Sequence, residues 1–215
     1  MRLTKAPLNE LFAAGLFFRP GWKGVSAFVD PMCVLVTLLL GAALILTNTP
    51  PGIFRKHFAF ENWKNFDKEL FESIYNDDSG EREFDYKIYG SDISAEAVEI
   101  ASRNVKSAGM SRCIELKVMP MESYETAPAE EGILVTNPPY GERLKPENLE
   151  QLYEMIGERL KHVFTGYQVW ILSHKKECFN KIGLRQSKKI ALKNGSLDCE
   201  YRRYDIFVGK RKEQK

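Results

Sequence analysis

Cysteine and histidine are scarce. Cys33, Cys113, Cys178 and Cys199 show no close pairing, and His57, His162 and His174 show no ligand spacing. That pattern argues against a disulfide framework and against a zinc site, and it reads as a reducing, cytoplasmic setting. Charge of one sign is lacking too. With 31 Lys+Arg against 29 Asp+Glu the formal net charge is +2, so a nucleic-acid contact would have to come from a local patch. Long apolar runs are absent: Met32 to Leu46 is nearly all apolar but spans only 15 residues. A membrane-crossing helix needs about 20, so a buried strand, turn and helix is expected and no membrane role. Met1-Arg-Leu-Thr-Lys5 leads into an amphipathic pattern with Asn9 and Glu10, without the apolar core of a signal peptide, so export is not expected. There is no internal repeat, and the one low-complexity piece is the charged tail Lys210 to Lys215.

What is present suffices for a core. A chain of 215 residues, 44% hydrophobic and 28% charged, suits one domain over 1–215 and argues against disorder. Leu8 to Phe18 has apolar residues at helical spacing, and Arg19-Pro20-Gly21 ends it, predicting a helix over the sheet edge. Ala27 to Asp30 reads as a first strand closed by Pro31, followed by an apolar helix from Thr37 to Thr47 that Pro50-Pro51-Gly52 stops. Residues 53–86 form an insertion with a helix from Trp63 to Tyr75 and an aromatic cluster, Phe58 to Phe66, that reads as the insertion's own core. Lys87 to Ser91 is a second strand, and Asp92 stands at its end before a helix from Ala95 to Ala108 that Ser94 can cap. Ile114 to Val118, Ile133 to Val135 and Gln168 to Leu172 are further strands, with a helix from Leu149 to Phe164 between the last two. Asn194-Gly195 between two extended runs signals a closing hairpin, and the alternation of strands and helices argues for a doubly wound α/β sheet.

The densest chemistry is Asn137-Pro138-Pro139-Tyr140. Ile133, Leu134 and Val135 suit a buried parallel strand, and two prolines forbid its continuation as ladder or helix. The turn therefore presents an amide, a proline carbonyl and an aromatic ring to the crevice where open α/β sheets bind ligands. An exocyclic amine on a nucleobase is a poor nucleophile that two acceptors can orient. The Asn137 side-chain oxygen and the Pro138 carbonyl supply them, with Tyr140 to stack on the base, so positioning replaces a strong base. Asp92, acidic at a strand end before a helix, has the placement that binds ribose hydroxyls.

The chain resembles the THUMP-associated S-adenosylmethionine-dependent RNA methyltransferases, in the branch that methylates guanine N2 of large-subunit (23S) rRNA. The likeness runs through Ala6 to Glu10, Phe28 to Cys33, His57 to Trp63, Gly90 to Ser94, the Asn137 stretch, Ser187 to Ile190 and Tyr204 to Ile206. It implies a Rossmann-like sheet of seven strands with the last inserted antiparallel, and a catalytic domain whose family's THUMP module does not precede it here. It implies a site in which Asn137, Pro138, Pro139 and Tyr140 are catalytic, and Asp30, Cys33, Thr37, Asp92, Ile93 and Asn137 hold the cofactor. RNA is the implied partner. Arg143, Lys145, Lys175, Lys176, Lys188, Lys189, Arg202 and Arg203 are candidate phosphate contacts, though most read as solvated faces.

One segment departs from the family pattern. After Asp30-Pro31-Met32-Cys33 the family continues Gly-Ser-Gly-Thr and later a Glu, where this chain has Val34-Leu35-Val36-Thr37 and Gly41. The glycines supply positive φ and close backbone approach to the cofactor, which valine does not, so the loop should repack and cofactor affinity should fall. Pro120 replaces an acidic residue that many relatives carry, and Glu122 is only a partial substitute. Two rival readings follow: a cofactor-free relative acting as an RNA-binding or assembly module, and a DNA adenine methyltransferase, which shares the Asn-Pro-Pro-Tyr turn.

Overall fold

The computed structural model describes residues 13, 15–17, 19–33, 36–50, 52, 55, 57–139 and 146–207, with only the backbone of 146 and 147. Its centre is a seven-stranded sheet: β1 (Ala27–Asp30), β2 (Ile88–Asp92), β3 (Ile114–Val118), β4 (Gly132–Thr136), β5 (Gln168–Ser173), β6 (Lys188–Asn194) and β7 (Leu197–Asp205). The order across the sheet is β3-β2-β1-β4-β5-β7-β6. β1 to β5 pair in parallel, while β7 runs antiparallel between β5 and β6. The expected doubly wound sheet with an inserted antiparallel last strand is thus present, and Gly195, at φ 61°, makes the tight turn between β6 and β7.

Each face of the sheet carries its own apolar layer. On one, α1 (Thr37–Thr47) and α3 (Ala95–Ser107) cover β1 and β2 through Leu38, Leu39, Ala42, Ala101 and Val105. On the other, α4 (Pro146–His162) packs Tyr153, Ile156 and Leu160 with Val29, Leu134 and Ile171. Such two-sided covering explains why β4 is buried along its whole length and reads as an unbroken apolar run. The Ser94 cap is also present: its Oγ accepts from the Ala97 amide at 3.2 Å.

Three expectations change. Of the amino-terminal helix, helical residues 13 and 15–17 lie within the described part. Ala13, Leu16 and Phe17 are buried against the sheet face instead of its edge, with the rings of Phe17 and Phe28 5.3 Å apart and Tyr201 Oη donating to the Leu16 carbonyl. The insertion's helix is shorter than predicted: α2 runs Lys68–Tyr75, because Asp67 caps it by accepting from the Leu70 amide at 2.9 Å. Directly ahead of it, between Phe58 and Asp67, the regular structure is a 3-10 turn, Ala59–Asn62, while the rings of Phe58, Phe60, Phe66 and Phe71 pack together, Phe58 stacked on Phe60 and Phe71 edge-on to Phe60, and Trp63 stays exposed. α4 begins at Pro146, earlier than periodicity suggested, since proline fits the first helical turn.

Two helical glycines lie in close packing. Gly41 sits inside α1, where a Cβ would lie 3.0 Å from the Phe17 ring. Gly157 in α4 lies against the Lys176–Ile182 3-10 segment so closely that a Cβ would overlap the Ile182 carbonyl oxygen. Backbone there has little room to retreat. Gly157→Ala is expected to destabilise the fold by about 2 to 3 kcal/mol despite alanine's better helix propensity, measured by urea unfolding. A neutral or stabilising result would show that the two segments separate easily.

Candidate active site

Strands β1 and β4 lie side by side in parallel, with Ala27 opposite Gly132 and Val29 opposite Leu134. Between them the strand order reverses direction, the place where open α/β sheets form a ligand crevice beyond their carboxyl ends. Asp30 closes β1 and Thr136 closes β4, so register alone brings them together. Thr136 Oγ1 donates to Asp30 Oδ1 at 2.9 Å, and the Met32 amide donates to the same oxygen at 3.2 Å. Asp30 is only 2% exposed. Burial raises its carboxyl to about 7, against the pull of the Met32 and Thr136 hydrogen bonds and with a smaller push from the charge of Asp92.

Asp92 ends β2 and is likewise buried, its Oδ1 accepting from the Ser94 amide at 2.8 Å. The next residue, Ile93, is 73% exposed, so a carboxylate and an apolar side chain stand together at the strand tip. The turn after β1 is pinned beside them by the Cys33 amide, which donates to the Ser91 carbonyl at 2.8 Å. Tyr124 Oη donates to Ser91 Oγ at 3.1 Å from the connection between β3 and β4.

Asn137 follows Thr136 directly, and its side-chain Oδ1 is buried and has no hydrogen-bond partner among the described residues. A buried acceptor left unmade costs about 1 to 3 kcal/mol, so this atom is poised to receive a donor. Pro138 is buried and Pro139 half-buried behind it. Tyr140, Arg143 and Lys145 lie outside the described residues, as do Val34 and Leu35.

Other candidates fall differently. Cys33 is wholly buried, with its sulfur toward Gly90, and burial pushes its thiol well up, so it offers the crevice backbone and no reactive side chain. Thr37 is buried at the first turn of α1. Val36 stands at φ −53° and ψ −12° before α1, its carbonyl accepting from the Leu40 amide at 2.9 Å. It therefore does not adopt the positive φ that a glycine would supply, and its side chain joins the core with Leu38 and Leu39. Lys189 and Arg202 are both held by Glu200, at 2.7 and 2.6 Å, and Arg203 is held by Asp205. These three basic residues are committed within the hairpin. Glu122 lies exposed in the 3-10 turn Met121–Ser123 that follows Pro120. His174 is held below the usual imidazole range by burial and by Lys175.

Thr136 was missed from sequence. Its signal was its position: the residue before Asn137, at the tip of a strand adjoining the one that ends in Asp30. A hollow of about 270 Å³ lies elsewhere, over β2 and β3 between Tyr89, Lys117 and the Tyr124 to Pro128 segment, and none of Asp30, Asp92 or Asn137 lines it. Among the described residues no cluster suits a metal ion, and no helix is long and apolar enough to cross a membrane.

In its chemistry the strand tip is compatible with the nucleoside half of S-adenosylmethionine, since the Asp92 carboxylate can accept from hydroxyls and the exposed Ile93 offers an apolar surface. Asp30, whose hydrogen-bond donors are the neutral Met32 amide and Thr136 hydroxyl and whose one charged influence is Asp92, suits a cationic ligand. Fold and site together define a class I methyltransferase domain. The chain belongs to the UPF0020 family, described as an RMKL-like methyltransferase domain, which matches residues 1–203.

Over 211 residues it is 37% identical to a ribosomal RNA large subunit methyltransferase K/L of Shewanella baltica, covering 95% of this chain and 30% of that relative. The chain thus spans under a third of that relative's length. Among solved structures, a protein assigned as a methyltransferase and complexed with SAH superposes with a TM-score of 0.85 at 32% identity, over 96% of this chain and 55% of that one. A predicted N6-adenine-specific DNA methylase from Listeria monocytogenes gives 0.83 at 29% identity, over 95% and 53%.

Proposed function

We propose that this chain is a catalytic domain that transfers a methyl group from S-adenosylmethionine to an exocyclic amine of RNA, with guanine N2 of large-subunit rRNA as the first target. The observation that carries the reading is the buried Oδ1 of Asn137, unpartnered among the described residues, at the strand-order reversal. A base amine entering the crevice donates one hydrogen to that oxygen and the other to the Pro138 carbonyl. Its lone pair is thereby turned away from the ring and aimed along one line, with the prolines holding both acceptors still. Bound S-adenosylmethionine supplies an electrophilic methyl on a positively charged sulfur. Asp92 takes the ribose hydroxyls, Ile93 covers a purine face, and the apolar wall formed by β1 and β4 keeps water from competing. Tyr140 stacks on the target base. RNA as substrate is supported by the name of the large-subunit rRNA methyltransferase relative.

The test is methyl incorporation from labelled S-adenosylmethionine into protein-free 23S rRNA and, in parallel, into DNA, followed by nucleoside digestion. N2-methylguanosine is the expected product. N6-methyladenine in DNA would place the chain with the Listeria methylase instead. S-adenosylmethionine producing neither a methylated nucleoside nor binding heat at millimolar concentration would leave the cofactor-free module, a reading favoured by Val36 filling the core where the family has a glycine.

A further inference from the structure

Asp30 is the unusual charge in this crevice. Both hydrogen bonds to its Oδ1 come from neutral donors, the Met32 amide and the Thr136 hydroxyl. Among the described residues, the titratable groups in electrostatic contact with it are Asp92 on β2, Cys33 after β1, Tyr124 in the connection before β4 and Tyr201 on β7. All four are neutral or negative, and none supplies a cation. A carboxylate so enclosed is costly to ionise until a positive charge comes beside it.

We propose that Asp30 is a proton-linked specificity residue: mostly protonated in the free protein on the acid side of neutrality, it ionises as the positively charged cofactor enters, releasing its proton to solvent. This deepens the methyltransferase reading and rests on it. S-adenosylmethionine carries a sulfonium charge that the thioether SAH lacks. Ionised Asp30 therefore favours fresh cofactor over spent product, and product loses part of its hold when the methyl leaves. No bond other than the carboxyl O–H breaks in this step, and the proton goes to buffer.

The sign follows from linkage. The free protein's carboxyl sits at about 7, and a cation lowers it, so binding releases protons below that value and few above it. About 0.9 proton should be released at pH 6 and about 0.1 at pH 8, and the Kd for S-adenosylmethionine should weaken by about tenfold from pH 8 to pH 6.

Calorimetric titration of the whole chain at each pH, in two buffers of different ionisation heat, counts the protons. The expected result is buffer-dependent heat at pH 6 with S-adenosylmethionine, distinctly less with SAH, and none beyond background in Asp30→Asn. Asparagine keeps an acceptor for Met32 and Thr136, and circular dichroism checks that the variant is folded. The wild-type buffer dependence decides the matter even if it is not. Binding of S-adenosylmethionine without proton release at pH 6 overturns the proposal, as does equal release in Asp30→Asn or equal release with SAH. Absence of any binding heat overturns both this proposal and the methyltransferase reading, an outcome distinct from binding without proton release.

Discussion

Asn137→Ala is expected to lower the rate of methyl transfer by about 10² to 10³, the usual loss when one preorganised hydrogen-bonding group is removed from a reacting centre. Among the described residues the buried Asn137 Oδ1 has no donor to accept from, so its removal costs little stability and even relieves an unmade hydrogen bond. The loss should fall on the chemical step. Affinity for S-adenosylmethionine should change far less than the rate, because Asp92, Ile93 and Asp30 remain. Asn137→Asp keeps an acceptor oxygen and should retain more activity than the alanine variant, although it adds a negative charge near Asp30. Single-turnover methylation with saturating cofactor separates these effects. If Asn137→Ala transfers methyl within about threefold of the wild type, the amide is not the amine's acceptor and positioning must come from elsewhere.

The second large effect concerns the segment after β1. Replacing Val34, Leu35 and Val36 together by Gly, Ser and Gly should tighten S-adenosylmethionine binding by about 10- to 100-fold, or about 1.4 to 2.8 kcal/mol. Val36 shows why. It is held in the right-handed helical region, continues the backbone into α1 and fills the core beside Leu38 and Leu39, so at position 36 apolar packing stands where the family pattern has a glycine. Glycine restores access to positive φ and removes the methyl groups, at the expense of buried area at position 36. The triple variant should therefore bind more tightly and unfold at a lower temperature. Calorimetry and thermal unfolding read the two changes separately, and a Kd within twofold of the wild type would show that the altered segment does not limit binding. Gly41 belongs to the same local arrangement, since its missing side chain leaves room for Phe17.

Sequence alone determined the order of strands and helices, because apolar runs of β-rich residues, the Ser94 cap, the Pro138-Pro139 stop and the Asn194-Gly195 turn are local signals that need no neighbours. It also placed Asn137 and Asp92 at strand ends, for the same reason. Where competing local signals existed it went astray. The expected helix from Trp63 is longer than the observed one because its first residues carry no local stop, whereas the Asp67 side chain caps the helix at Lys68 by accepting from the Leu70 amide. For the amino-terminal helix, spacing tells which side is apolar but not what it covers, so its place on the sheet face instead of the edge is not legible in the chain.

Only the tertiary structure could decide the state of the charges. That Asp30 is enclosed by neutral donors and acidic neighbours, that Thr136 holds it, and that the Asn137 oxygen is left without a donor among the described residues all depend on β1, β2, β4 and β7 meeting at one end of the sheet. These residues are up to 171 positions apart, from Asp30 to Tyr201. Burial and electrostatic neighbourhood are sums over everything packed around a group, and no local pattern in the chain contains that sum.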